Sequence, residues 1–172
     1  MSAWIMKEVR TVRGILGLVL LLVCFDATWL ILVGILSFSL GWISLNEPRA
    51  MEHAHQMSEM IHNHPMVFFV IFLPLVAFCE EVLFRLMPLA FAVQLFGKKM
   101  LPVMFVAIIA SMFFGSVHSL GLRNILFQGE GGLLYCLLFL KCGGWSRETI
   151  KPLAVTTATH YTWDAVFFLL YL

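Results

Sequence analysis

Residues 14–44 form an apolar run broken by a single charged side chain, Asp26, and no other feature constrains this chain so strongly. A helix needs roughly 20 apolar residues to cross a hydrocarbon core of about 30 Å. The run meets that length. Lys7, Arg10 and Arg13 precede it, as in a signal peptide, but it is too long for the apolar region of one and no A-x-A site follows. It reads as an uncleaved first membrane helix.

Four further segments follow the same logic. Met66–Phe96 and Leu101–His118 are apolar throughout most of their length. Phe127–Leu140 is shorter and carries Glu130, and Pro152–Leu172 ends the chain. Composition agrees: 61% of the residues are hydrophobic and 12% charged, against about 45–50% and about 25% in soluble domains. The expected fold is therefore all-α, a polytopic transmembrane bundle of about five spans, with residues 1–172 as a single membrane domain. The second segment is too long for one perpendicular crossing and contains Pro74 and Pro88, so a kink or a break is expected there.

Charge sets the orientation. Lys7, Arg10, Arg13, Lys98, Lys99, Lys141, Arg147 and Lys151 fall on one side if five helices alternate, and Arg49 and Arg123 on the other. The positive-inside rule then puts the N-terminus in the cytoplasm. The net charge is +1 and the basic residues are scattered, which argues against a nucleic-acid partner. Cys24, Cys79, Cys136 and Cys142 make no CxxC pair and read as small buried hydrophobes. The polar stretch Asn46–His64 holds His53, His55, His62 and His64, with Glu52 and Glu59 nearby. Its HxH spacing suits a metal, but a solvated, extramembrane His-rich loop over residues 46–65 is the simpler expectation.

The ionisable residues inside the apolar segments carry the functional signal. Each costs at least ~2.5–3.5 kcal/mol to insert, so each needs a partner or a task. Glu81 and Arg85 are spaced i,i+4 with the acid first, and can neutralise each other. Glu80 points about 100° away and is left without a local partner, as befits a carboxylate that accepts a proton. His160 and Asp164 are also i,i+4, so Asp164 can fix the imidazole tautomer. Phe114 and His118 share a face in the same way. Asp26 is ambiguous between a contact with this group and a bond to Thr28 or another helix.

At these residues the sequence resembles the CPBP family, the CAAX-protease and bacteriocin-processing membrane peptidases also called Abi. Glu80-Glu81-Val82-Leu83-Phe84-Arg85 is similar to its EExxxR motif, Phe114–His118 to FxxxH, and His160–Asp164 to HxxxN or HxxxD. The Gly129–Tyr135 stretch resembles the glycine-containing helix start found between the last two. The resemblance covers about residues 66–172, the expected peptidase region. It implies a glutamate-type, metal-independent endopeptidase without cofactor. Glu80 would activate water with His118, His160 and the last motif position would stabilise the oxyanion, and Arg85 would hold Glu81.

Two departures matter. Motif three ends in Asp164, and an ionised Asp cannot donate to an oxyanion, so Asp164 is expected to orient and charge His160. Only one helix precedes the motif region, so the substrate path differs from that of longer relatives or a partner supplies it. The implied partners are the lipid bilayer and a membrane-anchored protein or peptide, such as a C-terminal sorting signal of the kind short myxosortase-like members process. The implied location is a prokaryotic cell (inner) membrane, crossed several times. Whether the chain forms a homo-oligomer is open. Three rivals are weighed beside this reading: a zinc protease using Glu80, His118 and His160 with Glu81 as base, a non-enzymatic bacteriocin-immunity or membrane binding protein, and a proton-coupled carrier.

Overall fold

The computed structural model describes residues 6–41, 48–118 and 124–171. Arg123, Asn46 and the side chains of Arg49 and His53 lie outside the described set. Every element among the described residues is helical. Helix α1 spans Val12–Ser39, α2 Pro48–Asn63, α3 the composite Pro65–Phe96, α4 Met100–Ser116, α5 Asn124–Lys141 and α6 Ile150–Tyr171. A single 3-10 turn, Gly144–Ser146, joins α5 to α6. Two of these helices, α1 and α3, are long and apolar enough to cross a membrane, and α4 is a shorter apolar helix.

Helix α1 starts where Thr11 accepts a hydrogen bond from the Gly14 amide at 3.2 Å, a side-chain N-cap. Its outer face is apolar and exposed, including Leu16, Leu20, Leu32 and Ile35. Its inner face packs Leu18 against Leu138 and Cys142 of the α5 end. Trp29 ties it to the other end of α5 by donating to the Leu126 carbonyl at 2.8 Å.

Two expectations are corrected. The stretch expected to be a His-rich loop is helical over Pro48–Asn63. Met57 and Ile61, four residues apart, pack one stripe of α2 against Phe68 and Leu73. The polar composition hid that stripe, and His55, Glu59 and His62 occupy the exposed side. The cysteines also divide: Cys136 and Cys142 are buried, but Cys24 and Cys79 lie on the outer surface. A helix whose outside is apolar has no need to turn a small hydrophobe inward.

Helix α3 begins at Pro65 and runs through its two internal prolines, Pro74 and Pro88, without ending. Each proline is preceded by one wide π turn, Phe68–Phe72 before Pro74 and Val82–Leu86 before Pro88. The Leu73 amide bonds Phe68 and the Met87 amide bonds Val82, each a step of five residues. A proline offers no amide hydrogen and its ring presses on the carbonyl four residues back. A π turn gives that carbonyl room. The Phe84 carbonyl, four residues before Pro88, is approached instead by Cys136 Sγ at 4.0 Å.

Helices α4 and α5 approach backbone to backbone. A Cβ at Gly115 would lie 2.8 Å from the Asn124 carbonyl oxygen, the Ile125 Cα and the Gly129 nitrogen. Small residues permit such close crossings. Next to this contact, Leu89, Val93, Val103, Ala107, Phe139 and Trp145 form the main apolar cluster of α3, α4 and α5. The N-terminal segment closes the far end of α5, where the Val9 amide donates to the Lys141 carbonyl and Lys141 Nζ to the Lys7 carbonyl.

Candidate active site

Four helices bring the three sequence motifs to one place. Glu80, Glu81 and Arg85 come from α3, with Glu81 ending a regular segment and Arg85 inside the wide turn. His118 lies just beyond the C-terminus of α4, and His160 and Asp164 lie on α6. Helix α5 contributes Gly132 and Tyr135 as the floor.

Glu81 and Arg85 are both fully buried, with a guanidinium nitrogen 3.4 Å from Glu81 Oε1. The same carboxylate oxygen receives His160 Nδ1 at 2.9 Å. Glu81 therefore serves two cations on two helices. None of the three buried guanidinium nitrogens of Arg85 has a hydrogen-bond partner, so the ion pair and two cation–π contacts hold the group. Its guanidinium carbon lies 4.1 Å from the Phe114 ring centroid and 5.3 Å from that of Tyr135. Gly132 makes this possible, because a Cβ there would meet Phe114 at 3.0 Å and Arg85 at 3.4 Å.

Glu80 has a different setting. Its side chain is 22% exposed, and its two oxygens face two imidazoles, Oε1 3.6 Å from His118 Nε2 and Oε2 3.5 Å from His160 Nε2. The sequence left it without a partner on its own helix, and the partners come from α4 and α6. His118 Nδ1 lies 2.7 Å from the Phe114 carbonyl oxygen. A carbonyl only accepts, so Nδ1 carries the proton, and in the neutral ring Nε2 presents a lone pair toward Glu80. Phe114 also meets the His118 ring edge to face at 4.6 Å, as their shared helix face leads one to expect.

His160 is buried and surrounded by carboxylates. Besides Glu81 at Nδ1, its Nε2 faces Asp164 Oδ2 at 3.3 Å and Glu80 at 3.5 Å. Every neighbour of its two nitrogens accepts, so both positions call for a proton. The i,i+4 contact to Asp164 is present, but the shorter bond that fixes the ring comes from Glu81. Tyr135 stacks on the other side of His160, with centroids 5.0 Å apart and planes at 22°.

The cluster opens into a cavity of about 420 Å³. Glu80, His118, His160 and Asp164 line one part of it, and Leu30, Phe72, Trp163 and Phe167 an apolar part. Asp26, which the sequence left ambiguous, lines the same cavity and is 7% exposed. Sequence reasoning does not mark two further residues, Tyr135 of the site and Glu130 outside its lining. Tyr135 lies inside a stretch notable only for its glycines. Glu130 lies one residue from Gly131, against which Asp26 packs, and its only signal is a charge in a short apolar helix. His55 pairs with Glu59 at 3.4 Å on α2, away from this cluster. Among the described residues no group of three His, Cys, Asp or Glu side chains is set to hold a metal ion.

No curated protein and no solved structure matches the chain. A family model does, over residues 62–166, its description being type II CAAX prenyl endopeptidase Rce1-like. That span holds α3, α4, α5 and most of α6, with every motif residue of the cluster. It is more than half of the chain, and it agrees with the resemblance carried by the three motifs. The chain thus belongs to the Rce1-like family of CAAX-type membrane proteases.

Proposed function

We propose that this chain is a glutamate-type intramembrane endopeptidase that hydrolyses a peptide bond in a membrane-anchored protein or peptide. The observation that carries the reading is the placement of Glu80. Of the two adjacent glutamates, Glu81 is sealed and held by Arg85 and His160, while Glu80 faces the cavity between two imidazoles. Glu80 and His118 Nε2 are both acceptors, and two acceptors converging at 3.6 Å suit a water with two protons to give.

The reaction follows from these roles. Glu80 takes a proton from water, and the hydroxide formed attacks the scissile carbonyl. The carbonyl oxygen gains the charge and meets the Nε2 proton of His160, which Glu81 keeps charged. The proton held by Glu80 passes to the leaving amine, directly or through His118, as the C–N bond breaks. Asp164 holds His160, and Arg85 with Phe114 holds Glu81. No metal takes part in this scheme.

The membrane setting belongs to the same proposal. Helices α1, α3, α4, α5 and α6 each cross the bilayer, with the N-terminus in the cytoplasm and residues 66–172 forming the peptidase region of a single membrane domain. The exposed apolar residues of α1, α3 and α4, such as Leu20, Val70, Leu83 and Phe105, support this reading. At 1.5 Å per residue α4 and α5 reach about 26 Å, just short of the core thickness.

The test compares membranes from cells carrying the wild type and Glu80→Gln, with protein termini read by mass spectrometry. One membrane protein is expected to lose a terminus in the variant, and His118→Ala and His160→Ala to reproduce the loss. Each should lower the rate by about 10²-fold or more. Normal processing by Glu80→Gln overturns the mechanism.

A further inference from the structure

A peptide group that enters the cavity leaves its water behind, and its N–H and C=O need new partners. Extended peptides commonly find them on the edge of a sheet. Every element among the described residues is helical, so none offers a strand edge, and helical backbone is paired within itself. Side chains must therefore read the substrate main chain. Glu80, His118, His160 and Asp164 are engaged with one another.

Two carboxamides of α5, Asn124 and Gln128, line the same cavity. Asn124 Nδ2 donates to Gln128 Oε1 at 2.9 Å. That bond orients both groups and leaves Asn124 Oδ1 as an acceptor and Gln128 Nε2 as a donor. Among the described residues neither atom meets a partner. On a solvated helix face such an i,i+4 pair would only brace the helix. Asn124, however, is 3% exposed. A buried carboxamide with an unmatched oxygen on a cavity wall calls for a ligand. Its placement is fixed as well. Helix α5 begins at Asn124 against the last turn of α4, where a Cβ at Gly115 would lie 2.8 Å from the Asn124 carbonyl oxygen. The His118 amide bonds the Gly115 carbonyl at 3.4 Å. One helix crossing thus sets both the carboxamide pair and the imidazole that faces Glu80.

We infer that Asn124 and Gln128 clamp the substrate main chain, Asn124 Oδ1 accepting a peptide N–H and Gln128 Nε2 donating to a peptide C=O. The group recognised is a neutral secondary amide, whatever side chains flank it. The inference rests on the peptidase reading for the use of the cavity and adds how the substrate is held there.

The experiment reads binding, not turnover. The purified full chain in detergent is titrated with N-octylacetamide or with octyl acetate, which has the same tail and an oxygen in place of the N–H. Affinities come from the rise of the melting temperature with concentration. Wild type and Glu80→Gln should each bind the amide about 10-fold more tightly than the ester. Asn124→Leu should bring that ratio near 1. Gln128→Met, at a more exposed position, should weaken both compounds about 3–10-fold. Equal affinities in the wild type or in Glu80→Gln overturn the clamp. So does a ratio kept by Asn124→Leu, even with a lower melting temperature of the free protein, which would mark a helix brace alone. Wild-type affinities in Gln128→Met overturn it too, and this variant decides the matter should Asn124→Leu fail to fold. Processing by Glu80→Gln tests the peptidase reading separately, so the two can fail independently.

Discussion

Glu81 Oε1 lies 2.9 Å from His160 Nδ1 and 3.4 Å from an Arg85 nitrogen, so one buried carboxylate oxygen joins α3 to α6. Its neighbour Glu80 is partly exposed and faces the cavity. Adjacent residues of one type therefore differ in what their loss should do.

Glu81→Gln leaves Arg85 without its counter-charge and takes the carboxylate from His160 Nδ1, while Asp164 and Glu80 still face Nε2. Breaking a buried pair by removing one partner costs about 3–5 kcal/mol. The melting temperature of Glu81→Gln should fall clearly, with activity lost as well. Glu80→Gln should lose activity and keep a melting temperature near that of the wild type. Thermal unfolding of both variants in the same detergent checks the contrast.

Arg85→Lys keeps the charge and loses the planar guanidinium that meets the Phe114 and Tyr135 rings. Arg and Lys are not equivalent at a stacked site. A stability loss of about 1–2 kcal/mol is expected from the stacking alone, measured by denaturant or thermal unfolding. A variant as stable as the wild type would show that charge suffices here.

Tyr135 positions His160 by stacking at 5.0 Å. Tyr135→Phe retains a ring, and Tyr135→Leu does not. Aromatic pairs contribute about 0.5–1.5 kcal/mol beyond burial, so Tyr135→Leu should lower the cleavage rate about 3–10-fold, with Tyr135→Phe close to wild type. Equal losses in the two would assign the effect to the hydroxyl.

Glycine replacements should separate by location. Gly115→Ala places a methyl 2.8 Å from three backbone atoms of α5 and should cost about 1–3 kcal/mol. Gly17 and Gly34 of α1 have open space around them, so alanine there should be neutral or stabilising by up to about 1 kcal/mol. Melting temperatures of the three variants decide it.

The approximate extent of every helix but α2 is legible in the sequence because apolar runs mark it. The union of Glu80, His118 and His160 is legible through the three motifs, and the Glu81–Arg85 pair through i,i+4 spacing. Contacts between helices are not. Spacing along α6 points to Asp164 as the group that fixes His160, whereas Glu81 on α3 makes the shorter bond. Tyr135 and Glu130 escape for the same reason, since their partners lie on α6 and α1. Helix α2 reads as a loop because two apolar contacts, Met57 and Ile61, are hidden among histidines and glutamates.

The wide turn at Val82–Leu86 has a consequence for helical phase. A regular α-helix advances about 100° per residue, and a π turn takes up one extra residue without rotating the helix beyond it. Glu80 and Glu81 stand before that turn, and Leu89 and Val93, packed against α4 and α5, stand after it. With the downstream half locked in the apolar cluster, a turn tightened to α geometry over the same residues would swing both glutamates about 100° off their present facing. Pro88, which belongs to no polar contact in the cluster, thus acts as the phase-setter of the site: it decides which glutamate is sealed against Arg85 and which looks into the cavity.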